Sequence, residues 1–183
     1  IGLLPLLIAL LVSPARAARG EIRPPDGGIL VGNYLPAPAT GTYTVVLLHG
    51  LASTKDEWRP MAEVLQTAGC GMLAMDLRGH GVSTRGFNRT LDYRYFLRGG
   101  QDWARMVADM AIVVDWLEQN GVPRRRIVVG GASLGANVAL NAFSRDRALA
   151  AAILLSPGLD YAGVTTEAAA ASAKGRRVVM AAS

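Results

Sequence analysis

The segment Ile127-Val128-Val129-Gly130-Gly131-Ala132-Ser133-Leu134-Gly135-Ala136-Asn137 passes from a run of β-branched residues into a small, apolar helical pattern with no loop between the two. A buried strand that feeds directly into a helix needs a very tight turn. In the G-x-S-x-G of residues 131–135 the serine takes the strained corner. The positions two before and two after it must lack bulk so that strand and helix can approach, and Gly131 and Gly135 meet that need. In a chain with 21 glycines such a motif arises readily by chance, and the flanking strand and helix are what give it weight. The segment predicts Ser133 as a catalytic nucleophile, with the backbone N–H of Leu134 aimed at a developing oxyanion.

Outward from this segment, short apolar runs alternate with longer helical patterns, as in a parallel sheet covered by helices. Strands are expected at Ile29–Tyr34, Tyr43–Leu48, Gly71–Asp76, Arg126–Gly130, Ala151–Leu155 and Arg177–Ala182. Amphipathic helices are expected over Asp56–Thr67, where Trp58, Met61, Ala62 and Leu65 fall on one face, and over Gln101–Gln119, closed by Gly121-Val122-Pro123. Leu134–Phe143 is a third helix, and the Ala-rich Glu167–Ala173 reads as either a fourth or a flexible linker. The fold class is therefore α/β, a mostly parallel sheet with helices on both faces.

Two further strand ends carry chemistry. The strand Thr44–Leu48 runs into His49-Gly50-Leu51-Ala52, a turn of small residues at the carboxyl edge of the sheet, where ligands bind in this architecture. The Leu51 amide there is a second candidate oxyanion donor; two pre-aimed amides stabilise the charge that an acyl carbonyl gains under attack. After the strand at Gly71–Met75 comes Asp76-Leu77-Arg78-Gly79-His80-Gly81-Val82-Ser83. Asp76 and His80 could be taken for an acid and base pair. The preferred reading is a glycine-rich loop tied down by hydrogen bonds from its Asp and Arg.

Other classes fall away on composition and motif. Hydrophobic residues make up 51% of the 183 and charged residues 18%, which argues against disorder. With Cys70 the only cysteine and His49 and His80 the only histidines, neither a disulfide scaffold nor a zinc cluster is expected. Gly130 and Gly135 are followed by Ala136-Asn137 rather than Lys-Ser or Lys-Thr, so no phosphate loop is read, and no G-x-G-x-x-G opens a helix. The net charge of +5 comes from scattered arginines, and the run Arg124–Arg126 reads as a solvated turn rather than a nucleic-acid contact.

At the amino end, Ile1–Val12 is apolar and Ala15-Arg16-Ala17 has the small-x-small pattern of signal peptidase cleavage. Residues 1–17 are expected to be a secretory signal whose start is incomplete. A run of about 12 residues is too short for a stable membrane span, which needs about 20. Secretion or a periplasmic location is the expectation. At the other end a buried strand runs to Ser183, so residues 18–183 are expected to be the N-terminal part of a single domain.

His49-Gly50, Asp76-Leu77-Arg78-Gly79-His80-Gly81-x-Ser83 and Gly131-x-Ser133-x-Gly135, in this order and at these strand ends, resemble the α/β-hydrolase superfamily. Ser156-Pro157-Gly158-Leu159-Asp160-Tyr161 is similar to secreted bacterial serine esterases and dienelactone-type hydrolases. The resemblance implies Ser133 as nucleophile, the Leu51 and Leu134 amides as oxyanion hole, and His49, Gly50, Gly131, Gly135, Asp76 and His80 as motif support. It implies no cofactor and no metal. In that family the acid and the histidine follow the nucleophile, which puts both beyond Ser183 and leaves the chain as given an incomplete, nearly inactive core. Asp160 is an alternative acid, against a loop-capping role. A serine at 133 disfavours halide displacement and epoxide opening, which use a carboxylate in this fold. The expected substrate is a small-molecule ester or related acyl compound. The rival is a non-catalytic binding protein of the same fold. Tyr93, Tyr95 and Phe96 read as packing more than as an acyl pocket.

Overall fold

The computed structural model describes residues 18–38 and 42–182, so the expected signal segment lies outside the described residues. Seven strands form one sheet: β1 (Ala18–Ile22), β2 (Leu30–Leu35), β3 (Thr44–Leu48), β4 (Gly71–Met75), β5 (Ile127–Ala132), β6 (Ala151–Leu155) and the last, Val178–Ala181. Their spatial order is β1-β2-β4-β3-β5-β6 and then Val178–Ala181. From β4 onward every pairing is parallel, whereas β1 and β2 add an antiparallel margin. The fold is that of an α/β hydrolase, with β5 and the G-x-S-x-G of residues 131–135 in the middle of the parallel part.

Each central strand is buried on both sides, and alternate side chains feed two cores. Val46, Leu48, Leu73, Met75 and Val129 face the larger one, filled by α2 (Gln101–Gln119) and α3 (Leu134–Arg145). Val45, Leu47, Met72, Ala74 and Val128 face the smaller, covered by Trp58 and by α1 (Arg59–Thr67) through Met61, Ala62 and Leu65. The helix read from Asp56 starts at Arg59 because Lys55–Trp58 forms a 3-10 turn, capped by the Thr54 side chain accepting from the Asp56 N–H. Pro60 then occupies the first turn of α1, where its missing N–H costs nothing.

Two departures from the sequence reading have simple causes. β1, Ala18-Arg19-Gly20-Glu21-Ile22, has only Gly20 and Ile22 turned inward, so it carries no apolar run to read. The connection after β6 is ordered, not a bare linker: β7 (Asp160–Tyr161) and β8 (Val164–Thr165) make a small hairpin, followed by α4 (Glu167–Ser172) with Ala169 buried. The final strand, Val178–Ala181, which we label β9, forms where the sequence places it and pairs in parallel with β6. Among the described residues no helix is long and apolar enough to cross a membrane.

Candidate active site

Ser133 stands at the junction of β5 and α3 with φ 51° and ψ −118°, a backbone region that side-chain-bearing residues seldom enter. Its N–H donates to the Leu155 carbonyl at 2.9 Å, extending the β5–β6 ladder into the turn. Its carbonyl accepts from Ala136 and Asn137 and starts α3, leaving the hydroxyl free of any capping bond. The two glycines are needed for contact: a Cβ at Gly131 would lie 2.5 Å from the Gly135 carbonyl carbon, and one at Gly135 would lie 2.6 Å from the His49 oxygen. Helix α3 is thus pressed onto the carboxyl end of β3.

That packing brings the His49 turn to the serine. A Cβ on Gly50 would stand 3.7 Å from the Cβ of Ser133. Ser53 N–H closes the turn on the Gly50 carbonyl at 3.2 Å, and Ala52 takes a positive φ of 64°. Leu51 lies in this turn with its side chain half exposed, and Leu134 opens α3 fully buried. Among the described residues neither amide has a protein acceptor; that of Leu134 is one of the N–H groups any helix start leaves unpaired. The Gly50 N–H points to Glu57 Oε2 at 3.4 Å.

The two histidines are turned to other work. His49 is completely buried; its Nδ1 donates to the Gly50 carbonyl at 2.7 Å and its Nε2 accepts from the Leu77 N–H at 3.0 Å, which fixes the tautomer. The ring ties the turn after β3 to the loop after β4, and burial lowers its pKa. His80 stacks on Tyr93 with centroids 4.0 Å apart and sits 5.0 Å from His49. Its Nδ1 donates to the Arg78 carbonyl at 3.1 Å, and its buried Nε2 has no partner among the described residues. Burial pushes its pKa down to about 4, so the ring is neutral at ordinary pH. Neither ring is offered to Ser133.

Asp76 is enclosed by donors: Oδ1 takes the Lys55 N–H at 2.7 Å, and Oδ2 takes Lys55 Nζ at 2.8 Å and the Val82 N–H at 3.0 Å. Ser83 Oγ accepts from Val31 N–H and donates to the Asp76 carbonyl, stitching the loop to β2. Arg78 forks onto Asp109 of α2 at 2.8 and 2.5 Å and reaches Asp26 at 2.8 Å. Asp76 and His80 are therefore not paired with each other. Asp160 caps its own hairpin, accepting from Gly163 N–H at 2.6 Å, and meets Arg98 at 3.2 Å.

Several residues escaped the sequence reading. Lys55 and Glu57 lie in a polar stretch with no motif to mark them. Asn137, fully buried, donates to the Val164 carbonyl at 2.7 Å and accepts from Gly158 N–H at 3.0 Å, so the helix that carries Ser133 also anchors the chain after β6. Asp109 did leave a signal, a carboxylate set between Met106 and Met110 on the buried face of α2. Of the three aromatics, Phe96 meets Trp103 edge-on at 5.5 Å and Tyr93 stacks on His80, whereas Tyr95 is exposed. Arg124 is no solvated turn: it bridges Asp115, Glu118 and Asp146. Among the described residues no three His, Cys, Asp or Glu side chains converge to hold a metal.

The family model described as serine aminopeptidase, S33, matches residues 41–181. The chain belongs to this family of α/β hydrolases. The α/β hydrolase GrgF from Penicillium sp. sh18 superposes with a TM-score of 0.64 at 27% identity, over 77% of this chain and 46% of its own. An esterase from Pyrococcus furiosus gives 0.60 at 29% identity, covering 78% of this chain and 53% of the esterase. An epoxide hydrolase from an endophytic Streptomyces gives 0.59 at 25%, over 76% and 37%. The chain spans about half the length of the solved structures it matches first. No protein of curated function is significantly similar to the sequence.

Proposed function

We propose that this S33-family chain supplies the nucleophile and oxyanion half of a serine hydrolase acting on carboxylic esters or related acyl bonds. The observation that carries the reading is Ser133 at φ 51°, held between β5 and α3 with the Gly50 turn against it. The Ser133 hydroxyl attacks the acyl carbon while a base takes its proton. The carbonyl oxygen becomes an oxyanion held by the Leu51 and Leu134 N–H groups. Collapse expels the alcohol, thiol or amine with that proton, and water then releases the acid and frees the serine.

An unassisted serine hydroxyl is a poor nucleophile near neutral pH. With both ring nitrogens of His49 engaged and His80 sealed inside, the base and its acid partner come in this reading from residues outside 1–183. The family description names aminopeptidases and a neighbour is an esterase, and both reactions proceed through one acyl-enzyme. A serine, not a carboxylate, at position 133 sets this chain apart from epoxide opening. Export directed by residues 1–17 is part of the same proposal. The test is hydrolysis of a short-chain p-nitrophenyl ester by the whole protein: Ser133→Ala is expected to lower kcat by more than about 10³-fold. No hydrolysis above the uncatalysed rate in the unaltered protein would leave a non-catalytic binding protein, and equal catalysed rates would place the nucleophile elsewhere.

A further inference from the structure

Away from Ser133, helix α2 and the far end of α3 part to leave a cavity of about 530 Å³, within the range of small-ligand sites. The length of α3, twelve residues at about 1.5 Å each, separates it from the nucleophile by about 18 Å. Its floor is apolar and buried: Val107, Met110 and Val114 from α2, Ala142 from α3, and Leu149 beyond it. Ala108 and Ala111 keep the α2 side low.

The mouth is cationic. Arg145 and Arg147 line it with no acidic partner among the described residues. The carboxylate in the lining, Asp146, is already used, one oxygen by Arg124 at 2.5 Å and the other by the Ala148 N–H at 2.9 Å. The carboxyl end of a helix ordinarily repels anions. Here Arg176 lies over the Phe143 ring and binds one carbonyl of the last helical turn, that of Phe143, together with the oxygens of Asp146 and Leu149 just beyond it, so a positive charge offsets this end. Two guanidinium forks above an apolar bed match a carboxylate carrying an alkyl chain.

We propose that this cleft binds a medium-chain carboxylate, with Arg145 and Arg147 on the head group and the chain against Met110, Val114 and Leu149. The site is separate from Ser133 and does not depend on that residue's role. Calorimetric titration of the whole protein with decanoate tests it, alongside Arg145→Gln/Arg147→Gln and Ala111→Leu, the second raising the low α2 side into the cleft without touching charge. Saturable binding below about 1 mM is expected, weakened about tenfold or more in each variant, with decanol and inorganic phosphate each binding far more weakly. Any of three results overturns the proposal: no saturable binding, an affinity in either variant equal to that of the unaltered protein, or binding abolished by prior fluorophosphonate modification of Ser133.

Discussion

At the scale of single residues, the strain at Ser133 is the most informative feature. A non-glycine residue in such a region costs of order 1–3 kcal/mol, and glycine itself gives back about 0.5–1 kcal/mol through a freer unfolded chain. Ser133→Gly is therefore expected to be more stable than Ser133→Ala by about 1 kcal/mol, read from urea midpoints; a less stable glycine variant would show the corner to be unstrained. Gly135→Ala works in the opposite sense, because its methyl meets the His49 carbonyl. A loss of about 1–3 kcal/mol is expected, together with loss of probe reactivity at Ser133, whereas unchanged stability would mean that α3 does not press on β3.

At the scale of elements, the loop after β4 is held by charges that water barely reaches. Lys55 is 12% exposed and Asp76 not at all, so Asp76→Asn strands an ammonium and is expected to cost about 3 kcal/mol. A cost below about 0.5 kcal/mol would place the pair with exposed ones. His80 adds a pH dependence. Its folded pKa of about 4 lies below the ordinary 6.5, so the unfolded chain binds the extra proton. The stability is fully present above pH 6.5 and is lost as pH falls through 6.5 toward 4, by about 3 kcal/mol in all. His80→Phe, which keeps the stack on Tyr93, should flatten that slope in denaturation at pH 7.5, 5.5 and 4.5. His49 is depressed in the same direction and keeps some slope in the variant. An unchanged slope would mean that His80 does not set the pH dependence.

At the scale of the whole molecule, the central strands were legible because burial on both faces leaves unbroken apolar runs, as in Val45–Leu48 and Gly71–Met75. What burial does not mark was hidden. β1 is a polar margin, β7 and β8 are too short for any periodicity, and the register that sets β4 between β2 and β3 depends on pairs far apart in sequence. The strand ends carrying His49, Asp76 and Ser133 could be located from their glycines. The side-chain partners could not: that Asp76 faces Lys55 rather than His80, and that Asn137 holds the chain after β6, follows from packing alone. The same packing gives the molecule two unlike regions, a strained polar edge around Ser133 and an apolar cleft one helix away. The proposed chemistry requires Ser133 to be the nucleophile. Treating the whole protein with a fluorophosphonate and mapping the adduct by peptide mass spectrometry tests it most directly. One adduct is expected, on Ser133 and absent from Ser133→Ala; an unlabelled Ser133 in the folded whole protein, or labelling at another serine, would show that Ser133 is not the nucleophile.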